Sequence, residues 1–342
     1  MAVHIDPSGL HLHIPGPDGK PLANNGSPLV RLTTASGAEA TVFPGTGFNL
    51  IDWRVPTPDG PVPLMHAEPD VLVGGSGTRS GSPILFPFPN RIAGAAFEWD
   101  GQTYHLEPSH PGDPNAIHGF CAKTAWSDFA ATAESAVTGT FRLSRDAPAG
   151  AARWPGDLEL RVTFELLDHA MRVTAHVSNP SDHAVPFGLG YHPYFTTLGA
   201  TELADTEVQV SAGSYWQLHD SIPDGTVAPV AGDRDLQVLV PIGDRVLDDV
   251  LTGLSPFRPD GDGLMQRAQL RGPKVGLMMR YDASFRDVVV FTPANREAIA
   301  IEPYTCPTDA VHLQALGHDV GWRSLAPGSE WTGVVEYHVV LS

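Results

Sequence analysis

The stretch LELRVTFELLDHAMRVTAHV (158–177) decides the fold class. Leu158, Leu160, Val162, Phe164 and Leu166 share one side of an extended chain. Met171, Val173, Ala175 and Val177 share one side of the next. Successive strand side chains point to opposite faces, so this period of two marks two strands with one buried face each. Asp168-His169 between them reads as a hairpin turn. Upstream, AFEWDGQTYHL (96–106) sets Asp100-Gly101 between two aromatic-rich arms, a second hairpin. Downstream, VGLMMRY (275–281), DVVVFTP (287–293), AIAIEPY (298–304) and VVEYHVVL (334–341) add strands. Their weaker alternation suits strands covered on both faces. No stretch carries a sustained apolar stripe at helical spacing. Short helices are expected only at DVLTGL (249–254) and ALGHDVG (315–321). The reading is all-β: a large antiparallel β-sandwich of two packed sheets, with residues 1–342 as one domain. VGGSGTRSGSP (73–83) is a loop, too short for a linker.

Composition agrees. The 35 glycines and 32 prolines are about a fifth of the 342 residues, a supply of turn formers that favours many short strands. The net charge of −18, with lysine only at positions 20, 123 and 274, argues against nucleic acid and anionic membranes as partners. Two cysteines, Cys121 and Cys306, are too few for a disulfide scaffold. MAVHIDPSGLHLHIPGPDGK (1–20) lacks a basic start and an apolar core, and no run approaches the ~18 apolar residues of a membrane span. A cytoplasmic location is the expectation. Asn25-Gly26-Ser27 has the form of a glycosylation acceptor, which matters only in a secreted chain.

Four segments carry the chemistry: FPFPNRIAG (86–94), NAIHGF (115–120), GYHPYF (190–195) and IEPYTC (301–306). Each sets a polar group in an apolar or aromatic setting beside a turn former. Such groups are either buried and paired or line a pocket. Glu302 stands near the end of an apolar strand, where burial would raise its pKa towards the range of a general base. The plain alternative is an edge-strand carboxylate in water. His192 is held extended by Pro193, among Tyr191, Tyr194 and Phe195. These aromatics suit the C–H faces of sugars, and equally an ordinary core. His118 precedes Gly119, which lets the backbone turn or approach a ligand; it also reads as a loop histidine satisfied by a carbonyl. Asn90 and Arg91 follow a stiff Phe-Pro-Phe-Pro approach and form a pair able to grip hydroxyls or to hold the glutamate. Asp248 and Asp249 either cap a short helix or bind hydroxyls. One acid, one base and several hydrogen-bond donors around a small neutral ligand make a site for moving protons.

In this order, NRI, an aromatic Asp-Gly hairpin, HGF with Trp126 downstream, HPYF, LDD and IEPYT resemble the aldose 1-epimerase (galactose mutarotase) family, over roughly residues 40–340. The resemblance implies a single β-sandwich domain, no metal or organic cofactor, and a sugar as partner. It implies that Glu302 is the base that takes the anomeric proton. His192 is then the acid that protonates the ring oxygen, and His118 a second histidine beside that oxygen. Arg91 and Asp248, with Asn90, bind hydroxyls. Asp248 is preferred to Asp249 because it directly follows Leu247. Acid and base are expected on opposite sides of the hemiacetal. A plateau of rate is expected around neutrality, bounded below by protonation of Glu302.

HGF followed by a tryptophan is also similar to the hexose-6-phosphate 1-epimerases, for which Arg79, Lys123 and Arg153 are the candidate phosphate cations. A carbohydrate-binding protein without activity would use the same sandwich, but binding alone needs no acid–base pair. A metal site on His118-x-x-Cys121 or Glu302-x-x-x-Cys306 lacks a second close ligand pair. The preferred sugar and the oligomeric state stay open at this point.

Overall fold

The structure, a computed structural model, describes residues 28–68, 70–75, 77–257 and 261–341. The N-terminal segment and the Asn25-Gly26-Ser27 triplet lie outside them. Among the described residues, strands dominate and are assembled into two large antiparallel sheets. The expected hairpin is there: Glu159–Leu167 pairs with Ala170–Ser178 in unbroken register from Glu159↔Ser178 to Leu167↔Ala170. Leu160, Val162, Phe164, Leu166, Met171, Val173, Ala175 and Val177 are all buried. This hairpin lies inside a nine-stranded sheet that continues through Glu330–Leu341, Val275–Tyr281 and Met265–Arg271. On its outer side Glu336 is clamped by Arg172 and Arg280, so the solvent face alternates polar as the pattern demands.

The second sheet, of eight strands, carries the chemistry-bearing segments. Its order runs Ile222–Pro229, Ala212–His219, Asp248–Leu254, Asp287–Phe291, Ile299–Tyr304, Gly190–Tyr191 and Ile84–Leu85, with Tyr194–Phe195 also paired to Ile299–Tyr304. All six residues of Ile299–Tyr304 are buried, which explains the missing alternation. One face meets the core through Val288, Val290, Ile299 and Ile301; the other floors a cavity. A four-stranded sheet, Val30–Thr33 to Val62–Pro63, and the hairpin Ala96–Trp99/Gln102–His105 complete the frame.

Two local expectations fail. Residues 249–254 are not helical but belong to the strand Asp248–Leu254, so Asp248 and Asp249 cap no helix. Its β-branched and leucine side chains pair with Asp287–Phe291, and sheet packing overrides a weak local preference. The other expected helix is displaced to Ala310–Ala315, ending where it was expected to begin. Gly317, at φ 93°, accounts for the stop. Two further short helices, Leu143–Asp146 and Pro148–Ala151, form where none was expected.

Candidate active site

Register creates the central pair. Gly190 lies opposite Tyr304, and Tyr194 opposite Ala300. His192, midway between the first two, therefore falls opposite Glu302, midway between the others. With a period of two, both side chains rise from the same face. His192 Nε2 stands 3.3 Å from Glu302 Oε1. The glutamate's other oxygen, Oε2, accepts a 2.5 Å hydrogen bond from the Tyr304 hydroxyl, two residues along the same strand. The Tyr194 ring stacks on His192 at 4.5 Å, and its hydroxyl lies 3.3 Å from His192 Nε2 while donating to the Thr78 carbonyl. Tyr191 does not help enclose His192. It faces the other way, towards Phe285, as alternation requires.

Asp248 is placed by the same rule. It pairs with Phe291, which pairs with Ala300, so its side chain reaches the cavity face at the open rim. Asp249 points to the opposite face and forms an ion pair with Arg234 at 2.5 Å. One residue of displacement along a strand exchanges the two faces. Asp248→Asn is expected to raise KM about tenfold, the size of a hydrogen bond to a charged group. Asp249→Asn breaks an ion pair whose carboxylate is buried and whose arginine is half exposed, costing about 1–3 kcal/mol of stability with KM unchanged. Steady-state kinetics and a thermal melt on the two variants check both halves.

Two segments remote in sequence form the wall. Arg91–Ile92 pairs with Ala116–Ile117, and the His118 amide donates to the Asn90 carbonyl at 2.8 Å. Asn90 and His118 both take positive φ, 50° and 64°. Asn tolerates this; for a histidine it stores on the order of 1 kcal/mol of strain. Gly119 makes the approach possible, since a Cβ there would lie 2.2 Å from the Phe86 carbonyl oxygen. Asn90 Oδ1 accepts from Arg91 Nη1 at 3.0 Å. Asp309, which sequence reading passed over, locks this wall: its amide donates to the Arg91 carbonyl and its carboxylate accepts from the Ala93 amide.

The resulting cavity holds about 650 Å³ and brings together Asn90, Arg91, His118, His192, Asp248 and Glu302. His66, Glu68, Thr78, Arg79, Asp113, Lys123, Phe291, Asn295 and Tyr304 also line it. Most of these come from loops with no local signal. Tyr304 had one, since it lies two residues beyond Glu302 on a strand.

Burial raises the Glu302 pKa well above the carboxylate range; the Tyr304 hydroxyl pulls it back, Asp248 raises it and Arg91 lowers it. Burial pushes His192 down to about 3. It also holds His118 well below its ordinary value, helped by His192, Arg91 and Lys123. The His118 ring stands edge-on to that of His192, centroids 5.6 Å apart, and its buried Nδ1 has no hydrogen-bond partner among the described residues. An unsatisfied buried donor or acceptor costs about 1–3 kcal/mol, which a polar ligand would recover.

Both cysteines are buried, and the Cys121 thiol donates to the Ile84 carbonyl. Among the described residues no three His, Cys, Asp or Glu side chains converge as a metal site would need, and no helix is long and apolar enough to cross a membrane.

This two-sheet sandwich, with its cavity on one sheet, is the galactose mutarotase-like fold. The solved galactose mutarotase-like protein of Clostridium acetobutylicum superposes with a TM-score of 0.81, at 19% identity, covering 94% of this chain and 97% of that one. The chain belongs to the aldose 1-epimerase family, a family of isomerases, which it matches over residues 28–338. A galactose mutarotase of Pongo abelii is 33% identical over 171 residues, 48% of this chain and 47% of that protein. A maltose epimerase of Levilactobacillus brevis is 34% identical over 145 residues, 42% of each. These matches thus span about half the length of the curated relatives.

Proposed function

We propose that the protein is an aldose 1-epimerase that interconverts the α and β anomers of a hexose. The observation that carries the reading is the buried His192–Glu302 pair at 3.3 Å, inside a cavity with room for a sugar. Opening a cyclic hemiacetal removes a proton from O1 and delivers one to O5. Both oxygens sit on the same carbon. Base and acid must therefore stand close together, and their direct contact suits this better than the opposed placement expected from sequence. Glu302 Oε1 takes the O1 proton as His192 Nε2 gives one to O5. The C1–O5 bond breaks, C1 becomes an aldehyde, rotation exposes its other face, and the steps reverse. Arg91, Asn90, His118 and Asp248 hold the hydroxyls. Each positioned proton transfer is worth roughly 10²–10⁴ in rate.

The proximity also changes the expected pH dependence. Groups this close titrate as a pair. With His192 pushed down to about 3 and Glu302 raised, the pair holds one shared proton between the two values, resting mainly on Glu302 and moving to His192 when the pair reacts. Ionised Glu302 with cationic His192 is the working arrangement of that proton. The plateau is therefore expected to persist below the usual carboxylate range. The rate is expected to fall on the alkaline side, as the pair loses its last proton. Polarimetry of freshly dissolved α-glucose or α-galactose across pH, with the uncatalysed rate subtracted, tests both activity and limb. A rate that climbs through neutrality and then stays flat would make the proton-free pair the active form. No catalysed rotation on any sugar would leave a binding protein.

A phosphorylated hexose is the second reading. Arg79, Arg91 and Lys123 line the cavity and form no salt bridge among the described residues, in a chain where most arginines do. Arg153 instead pairs with Glu107. A kcat/KM for glucose 6-phosphate well above that for glucose favours this reading; the reverse removes it.

A further inference from the structure

Tyr304 is fully buried, lines the cavity, and bonds directly to the carboxylate oxygen that does not face His192. Room for its ring is made by Gly190, where a Cβ would lie 2.5 Å from the ring. The glycine and the tyrosine are register partners, so one cross-strand pair seats the phenol beside the acid–base pair. Resting on the epimerase reading, we propose that Tyr304 is a positioning residue. Its hydroxyl holds Oε2 of Glu302 so that Oε1 alone meets His192 and the sugar, and it stabilises the ionised carboxylate that receives the O1 proton.

The groups facing Glu302 are His192 and Tyr194 from one side, Asp248 from another, Arg91 from the wall, and Tyr304 on its own strand. Asp287 stands opposite Tyr304 in register, but its carboxylate is engaged by Trp216 Nε1 at 3.2 Å. Only Tyr304 has a hydrogen bond to Oε2 among the described residues. A phenol donates to a carboxylate more strongly than to a carboxylic acid, so the bond favours the ionised form. The Tyr304 hydroxyl itself stays protonated, because burial raises its pKa well above the ordinary tyrosine value.

The test is Tyr304→Phe, which keeps the ring and removes the donor. We expect kcat to fall about tenfold with KM nearly unchanged, and the alkaline limb of the rate to move to higher pH. A purely structural role would lower activity without moving that limb. An unchanged kcat, or a limb that stays or moves to lower pH, overturns the proposal. Should the variant be too slow for a pH profile, carboxyl-¹³C glutamate NMR reads Glu302 directly, assigned by its loss in Glu302→Gln. Its titration must move to higher pH in Tyr304→Phe, and an unmoved titration overturns the proposal. An active wild type with an unshifted variant defeats this inference alone. A wild type inactive on every sugar, with Glu302 titrating as described, defeats the epimerase reading instead.

Discussion

Glu302→Gln is expected to lower the mutarotation rate by about 10²–10⁴-fold while the protein becomes more stable at neutral and alkaline pH. The amide keeps the shape, and its oxygen still accepts from the Tyr304 hydroxyl, but it cannot take a proton from O1. The stability gain follows from burial. Removing a carboxylate from water costs several kcal/mol, and one charge-assisted hydrogen bond returns only about 1.5–3 kcal/mol. The folded-state pKa of Glu302 is accordingly raised, with burial the leading cause. A raised carboxyl contributes stability that is fully present below its unfolded value, about 4.3, and is lost as pH rises through the folded value. The glutamine variant never carries that charge. Its melting temperature should exceed the wild type's by a margin that widens with pH. Polarimetry and melts at acid and alkaline pH check the two halves separately. Retained activity removes Glu302 from the mechanism, and a margin that narrows with pH contradicts the burial argument.

His192→Ala is expected to cost a similar 10²–10⁴ in rate, because it removes the imidazole whose Nε2 stands 3.3 Å from Glu302 Oε1. The double variant with Glu302→Gln should be little worse than either alone, since the two residues move one shared proton. The pH signature runs opposite to that of the glutamate. His192 is buried neutral and pushed down to about 3. A depressed group contributes stability above its unfolded value, about 6.5 for histidine, that is lost as pH falls through the folded value. Wild type should therefore lose stability on acidification more steeply than His192→Ala. Melts across the acid range, with single-turnover rates on one anomer, separate this from a general folding defect. Near-normal rates in the alanine variant would exclude His192 as the acid.

Fold class was legible in the sequence because the nine-stranded sheet writes itself in period two. The alternation at 158–177 requires a buried face and an open one, and local patterning expresses that directly. The run at 298–304, apolar but for Glu302, was legible as a strand covered on both faces because it lacks that alternation. The short helices were misread because 249–254 is apolar, brief and without periodicity. Such a segment takes its conformation from the strand it pairs with.

The residue types of the site were also legible. A glutamate in an apolar strand, a histidine fixed by the following proline, and an Asn-Arg pair after a proline-rich approach are each out of place unless something uses them. The sequence by itself determined which polar groups stand in apolar company, and which of them share a face within one strand. Only the tertiary structure decided which strands lie side by side. The pairing of Gly190 with Tyr304 sets His192 against Glu302 across 110 residues of chain, and the ribbon at Arg91 and Ile117 sets His118 beside them. It likewise turned Asp248, and not Asp249, towards the cavity, through the Asp248–Phe291 register. Cross-strand register depends on long-range packing of whole faces, and no local run of residues encodes its own partner.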